Sequence, residues 1–544
     1  MSLYYAVIMS LWTALFLEFW KRRQFQLAYD WDLTDIDEDA EAVRPQYRAR
    51  ASDKNFGVSR SNPVTLKKEM YIPLSKKVPR FIASMLVLAF WIVIVLIATV
   101  SVIVYRIVAA NRLASNDGFK NLSDKLGSLG PYVSPSMIAS VTSALISVTI
   151  IVILSVIYNQ VAIKMTEWEC HRTETKYEKS LTKKMFWFQF VNYYSPLVYI
   201  AFFKDTLTGV PGNYNKFFGY RWHGCEGGGC TYELAVQLVV IMVAKQFALN
   251  IVEMLIPFLM LKIRAWKSKK KGKANLELAR WEQDFNLEPV AGLTLFYEYL
   301  EMIIQYGFVT LFVTAFPLAP ILALLNNVIE IRLDASKFLK YRQRVVAAKA
   351  MNIGAWEDLL GLLSKLGVVT NGFIIALTSD TIPKMVYDWD KRGDGYDMTG
   401  YVEHGLSYYR DFSFKIDIFC RKPKYFFSNF FYDTQCFNIT ENTNYNLTAP
   451  DGSFTSSCAY RGHREKVAGS DPCKYAFTVE HWRILCTKFI FVIVMEHLVF
   501  AVVAMIDNII PDRSKKLESE IKREKHITRV ILRQFKVFTH YLKK

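Results

Sequence analysis

LTLFYEYLEMIIQYGFVTLFVTAFPLAPILALLNNVIEIRLD, residues 293–334, decides how the rest of the chain is read. The stretch is almost continuously apolar, yet it contains Glu298, Glu301, Glu330 and Asp334. The first two acids are three residues apart and the last two are four apart, so each pair shares one face of its helix. A charge at mid-membrane costs about 2.5–3.5 kcal/mol on insertion scales. Four uncompensated acids would therefore oppose insertion, and the stretch implies a cation that they hold.

Outward from there, the 544-residue chain is 52% hydrophobic and 15% aromatic, with a formal net charge of +17. Its mean hydropathy of +0.13 is undistinguished because long polar loops dilute the apolar runs. Several of those runs exceed the roughly 20 residues that cross a bilayer. Lys and Arg fall in the loops between them, which favours a membrane protein over a nucleic-acid partner. No zinc-finger spacing, Walker A loop or HExxH is present, and neither a catalytic residue nor an enzymatic activity is expected. The expected fold class is an all-α polytopic membrane protein with about nine transmembrane helices.

The expected order is a transmembrane helix at 1–20, a cytosolic connection at 21–79 and a transmembrane core at 80–383. An extracellular disulfide-containing loop at 384–480, a last transmembrane helix at 481–511 and a cytosolic basic tail at 512–544 complete it. The first run is followed, not preceded, by Lys21-Arg22-Arg23, which argues for a spanning helix rather than a signal peptide. Within the core, spans are expected at 81–110, 137–163, 185–203 and 232–261, then a two-span hairpin turning at Pro317 and Pro320, then 353–378. Sequons at Asn121, Asn438 and Asn446 mark candidate glycosylation sites on the outer side. Cys225, Cys230, Cys420, Cys436, Cys458 and Cys473 fall on that side too and are disulfide candidates. The basic clusters that closely flank spans, KSKKKGK at 267–273 among them, fall on the other side.

The 232–261 run places Asn250 and Glu253 three apart on one helical face. Glu253 lies about 11 residues, roughly 16 Å, before the basic cytosolic loop. Glu298 and Glu301 start the next helix from the cytosolic side, and Glu330 and Asp334 end the one after it. Five carboxylates and an amide thus reach a similar depth in the inner half of the membrane. Oxygen-only ligands in this number suit a hard cation, Ca²⁺ rather than Zn²⁺. Two alternatives stand beside that reading: pairing of the acids with Lys or Arg, and a proton or Na⁺ relay in a transporter. Glu18, beside Lys21 and Arg22, reads first as an interfacial ion pair.

EYLEMIIQYGFVTLFVTAFPLAP, LLNNVIEIRLDASKF, TSDTIPKMVY and FVIVMEHLVF closely resemble the anoctamin family of Ca²⁺-activated membrane proteins. WKRRQFQLAYDWDLT, FQFVNYYSPLVYIAFFK and VPGNY extend the resemblance along essentially the whole chain, and the HRTETKYE loop looks most like the anoctamin-7 branch. The resemblance implies homodimers of ten-helix subunits, each with its own permeation groove. It also implies Ca²⁺ ligands at Glu253, Glu298, Glu301, Glu330 and Asp334, with Asn250 as the amide. A second Ca²⁺ region is implied at Glu18, Asp507 and Asp512, which gives Glu18 acidic partners. Arg106, Lys204 and Lys245 match family pore or groove cations, although Arg106 reads equally as an interfacial anchor. Three departures are expected to matter. Leu249 stands where the family has a further Asn, Ala244 stands where a hinge glycine is common, and the chain begins at what would be the family's second helix.

Two activities are implied: a scramblase passing lipid headgroups through a polar groove, and a chloride (anion) channel. The Ser/Thr/Ile-rich span SALISVTIIVILSVIYNQ favours Ca²⁺-activated phospholipid scrambling, with anion conduction as the alternative or companion. Membrane lipids are then the expected partners, with chloride or other anions, a second copy of the chain, and phosphoinositides at KSKKKGK and the basic tail. The plasma membrane is the expected location, with endomembranes as the alternative.

Overall fold

The computed structural model describes residues 2–33, 41–61, 68–114, 135–210, 213–217, 220–222, 224–225, 230–244, 259, 262–263, 266, 279–285, 287, 289, 293–344, 347, 349–391, 400–410, 457–464 and 477–542. Long helices dominate: α1 (Ser2–Asp30), α2 (Leu74–Ala114), α3 (Pro135–Glu169), α4 (Glu174–Val198) and α5 (Cys230–Ala244). They continue with α6 (Thr294–Leu311), α7 (Ala319–Ser336), α8 (Ala355–Phe373), α9 (Val479–Ile509) and α10 (Lys515–Leu542). The strands among the described residues form two-stranded antiparallel hairpins, such as Val58–Ser61 with Lys68–Tyr71 and Leu406–Arg410 with Ser457–Arg461.

Five of these helices, α1, α2, α3, α8 and α9, are long and apolar enough to cross a membrane. The mostly helical polytopic architecture expected from the apolar runs is therefore present. On α2 the large side chains Phe81, Leu86, Phe90, Leu96 and Ile97 are exposed, a surface that water would not tolerate and lipid would. By contrast 56% of the apolar window of α8 is buried, against 11% for α2, which makes α8 the central helix. It packs on α1, α4, α6 and α9.

Small residues and a few polar anchors fix that packing. At Gly367 a Cβ would stand only 3.1 Å from the Thr310 carbonyl, so the glycine lets α8 lie close to α6. Asn371, buried on α8, donates to the carbonyls of Thr310 (2.6 Å) and Gly367 (2.8 Å) and accepts from the Thr314 hydroxyl (3.0 Å). Without water to hydrogen-bond, such a side chain has to find its partners on a neighbouring helix. Aromatic rings fill the adjacent space: Tyr158 and Phe188 stack with centroids 3.9 Å apart, and Tyr194 meets Phe308 edge-on at 5.1 Å.

Three helices relax into a wider π turn at their C-terminal ends: α4 at Tyr199–Phe203, α7 at Lys337–Tyr341 and α8 at Ile374–Thr378. Such turns re-aim the side chains that follow and recur at functional sites. Two of them place a lysine discussed below, Lys204 just after the first and Lys337 at the start of the second.

Where α2, α3 and α4 meet, a polar seam runs through the apolar surroundings. Thr99 and Ser195 hydroxyls lie 2.9 Å apart, Ser155 donates to Gln189 (3.0 Å), and Asn192 donates to the Ile151 carbonyl (3.1 Å). Two small cavities along it hold about 10 and 20 Å³. At one end Glu169, Lys184 and His171 form a buried ion-pair node that joins the end of α3 to α4, with Lys184 2.5 Å and His171 2.8 Å from the carboxylate.

Candidate functional site: a carboxylate cluster with an internal cation

Glu298 and Glu301 sit one turn apart on α6, and Glu330 sits near the end of α7. The hairpin is held in register by Gln305, whose Nε2 donates to the Ala323 carbonyl at 3.2 Å. Packing of Phe296 and Tyr299 against Trp356 fixes the start of α6 on α8. As a result one carboxylate oxygen from each of Glu298, Glu301 and Glu330 lies within 4.8 Å of the others. An ion with ligand distances of about 2.3–2.6 Å sets opposing oxygens roughly 4.6–5.2 Å apart, so the three can share one cation.

Burial makes the cluster demanding. Glu301 is 8% exposed and Glu330 3% exposed. Oε1 of Glu301 is enclosed and meets no hydrogen-bond donor among the described residues. Desolvated like charges at this spacing raise each other's energy unless a cation joins them. An orphaned carboxylate oxygen in an all-oxygen set fits a hard divalent ion.

The structure supplies one cation from the chain itself. Lys337 Nζ lies 2.5 Å from Oε1 of Glu298 and 3.2 Å from Oδ1 of Asp334. Lys337 is itself 5% exposed. Asp334 is thus linked to the cluster through the ammonium and is not one of the three oxygens that converge. The alternative of acids paired with lysine is realised here in part. Sequence reasoning passed over Lys337, although its spacing of three from Asp334 and seven from Glu330 puts it on their helical face. Asn250 and Glu253, expected to complete the set, lie outside the described residues.

At the second expected region, Glu18 is 3% exposed and accepts from Lys21 at 2.5 Å. Asp507 and Asp512 act electrostatically on the same ammonium. The three acids do not converge as the α6–α7 cluster does; what the structure holds is the ion pair with Lys21.

Of the expected pore cations, Arg106 and Lys204 converge on a single acceptor that the sequence reading missed. Both donate to Oε2 of Glu233, on α5, and Arg106 also reaches the Ser140 hydroxyl at 2.6 Å. An acid inside an apolar run, TYELAVQLVV, was the available signal. Lys245 lies outside the described residues. Beside this node Cys225 and Cys230 are joined in a disulfide, with Cα atoms 5.0 Å apart, and Asp205 accepts from the Cys225 amide at 2.7 Å. Cys420, Cys436, Cys473 and the sequons at Asn121, Asn438 and Asn446 lie outside the described residues. Cys458 is placed on a strand opposite Tyr409, and its side chain is not described.

Comparison with known proteins agrees with this picture. Residues 1–524 match the anoctamin family model, described as a calcium-activated chloride channel. Human Anoctamin-5 is 38% identical over 542 residues, covering 98% of this chain and 55% of that protein. Human Anoctamin-7 is 37% identical over 541 residues, covering 98% and 51% respectively. Anoctamin-4 of Bos taurus is 38% identical over 546 residues, covering 97% and 54%. The likeness therefore spreads over several branches, the anoctamin-7 branch among them, and the chain spans about half the length of the curated relatives it matches. With the helical architecture, the buried carboxylate cluster and a match along nearly its entire length, the chain belongs to the anoctamin family.

Proposed function

We propose that this protein is a Ca²⁺-activated phospholipid scramblase whose groove is gated by Ca²⁺ at the carboxylates of α6, α7 and the 232–261 stretch. The observation that carries the reading is the meeting of Glu298, Glu301 and Glu330 within 4.8 Å, with a buried oxygen of Glu301 that meets no donor among the described residues. Ca²⁺ would supply the positive charge that lets these acids stay ionised and close together. The residues that would hold it are Glu298, Glu301 and Glu330, with Asp334, Glu253 and Asn250 completing the set. A site whose charge changes on binding biases two arrangements of the helices that carry it. The polar seam between α2, α3 and α4 is the surface along which headgroups would pass once those helices part.

Anion conduction is the second reading, and it has a specific observation against its strongest form. Arg106 and Lys204, the cations that would draw chloride, share Glu233 and so present less free positive charge than their number suggests. Homodimerisation, a plasma-membrane location, a second Ca²⁺ region at Glu18, Asp507 and Asp512, and phosphoinositide binding by the basic segments belong to the same proposal. So does the division into a transmembrane core, an outer disulfide-containing loop and a cytosolic tail.

The test is reconstitution of the full chain in liposomes containing a fluorescent lipid and a chloride reporter, with and without Ca²⁺. Ca²⁺-dependent leaflet exchange that is weakened in E301Q is expected. Equal exchange in both conditions, or an unchanged Ca²⁺ response in E301Q, refutes the gating scheme. Chloride flux without lipid exchange selects the channel instead.

A further inference from the structure

We propose that Lys337 is a tethered competitor for the cation site, an ammonium that occupies the acid cluster until Ca²⁺ displaces it. The inference rests on reading the cluster as a Ca²⁺ site and adds a device that sets how much Ca²⁺ the site needs.

The geometry leaves little room for both cations. Lys337 Nζ is 2.5 Å from Oε1 of Glu298, one of the three acids whose oxygens converge. A calcium ion bound to that carboxylate would lie about 2.3–2.6 Å from its oxygen, as close to it as the ammonium is now. Two cations on one partly buried carboxylate also repel each other, the more so where the dielectric is low. Lys337 therefore has to leave Glu298 before a metal is held there.

The side chain gives it a route. Lys337 opens the five-residue π turn that ends α7, with the Arg342 amide bonded to its carbonyl at 3.1 Å. Its ammonium rides on a flexible four-carbon stem, so a change of rotamer carries it off Glu298 without moving α7. A lysine also meets an acid at the other acidic region, where Lys21 stands three residues after Glu18 and lies 2.5 Å from its carboxylate.

The consequence is quantitative. Binding to a state populated only in part is weakened by that fraction. If the paired state is favoured about ten to one, the apparent Kd for Ca²⁺ is raised roughly tenfold. Leu249 stands where the family resemblance leads one to expect an Asn, and the two features would weaken Ca²⁺ binding independently.

The test measures Ca²⁺ binding directly, by titration calorimetry of the full chain in lipid nanodiscs, for the native protein, K337M, K337R and E301Q. The expected result is an apparent Kd lowered about tenfold in K337M and changed less than twofold in K337R. Unchanged or weaker binding in K337M overturns the inference. E301Q separates the two levels: if it does not weaken binding, the site reading fails and the inference falls with it. If E301Q weakens binding while K337M leaves it unaltered, only the competitor role is lost. A readout that needs no variant guards against misfolding of K337M. Amine-reactive labelling of Lys337 in the native protein, followed by peptide mass spectrometry, should rise several-fold on adding Ca²⁺. Labelling that ignores Ca²⁺ overturns the proposal.

Discussion

Gly307 lies so close to Tyr194 that a Cβ on it would stand 1.9 Å from the phenolic oxygen. That hydroxyl donates to the Ile304 carbonyl at 2.8 Å and ties α4 to α6, the helix that presents Glu298 and Glu301. In G307A either the ring or the helix must shift. Overpacking of this kind costs about 1–3 kcal/mol. The thermal midpoint of G307A should fall, and Y194F should recover part of the loss by removing the obstructing oxygen. Additive losses in the double variant would show that the two positions are not coupled.

Glu233 anchors two cations from two other helices. Replacing one partner of a buried ion pair leaves the others without compensation and costs about 3–5 kcal/mol. E233Q is expected to lower the thermal midpoint sharply. In reconstituted vesicles that retain folded protein, its chloride flux should exceed that of the native chain, because Arg106 and Lys204 then attract anions. A flux no greater than native would argue that these cations do not face an ion path.

Asn371 serves two partners across the contact, Thr310 at the end of α6 and Thr314 just beyond it, and each substitution there tests a different link. N371A leaves the Thr310 carbonyl and the Thr314 hydroxyl without their partner, a loss of about 1–3 kcal/mol for each buried group left unsatisfied. The expected outcome is a lower midpoint together with a shifted Ca²⁺ response, since α6 carries half of the hairpin's acids. N371D retains the acceptor but loses the donor, and adds a charge in an apolar setting. It should be more damaging than N371A, as judged by the yield of folded protein in detergent.

Removal of Ca²⁺ should also register as stability. A ligand present at 100 times its Kd stabilises the state that binds it by about 2.7 kcal/mol. Chelation is expected to lower the thermal midpoint of the native chain, and the difference should shrink in E330Q. A midpoint indifferent to chelation would leave the cluster as a purely structural ion-pair site.

Much of the site was legible from local periodicity. Spacings of three and four within residues 293–334 are enough to pair Glu298 with Glu301 and Glu330 with Asp334, because a helix fixes which residues share a face. The same run, too apolar for water and too acidic for lipid, already required a cation. The family resemblance then added which ion and which activities to expect.

What periodicity cannot reach is the choice of partner across helices. Glu330 rather than Asp334 joins the α6 acids, and Asp334 turns to Lys337. Arg106 and Lys204, some hundred residues apart in the chain, meet on Glu233. Glu18 meets Lys21, the ion pair that its local sequence suggested before Asp507 and Asp512 drew attention to a metal. In each case the composition determined that a buried charge must be compensated, since a low dielectric makes isolation expensive. Which group compensates it was decided only by how α2, α4, α5, α6 and α7 pack, because partners are set by distances between helices and no single helix encodes them.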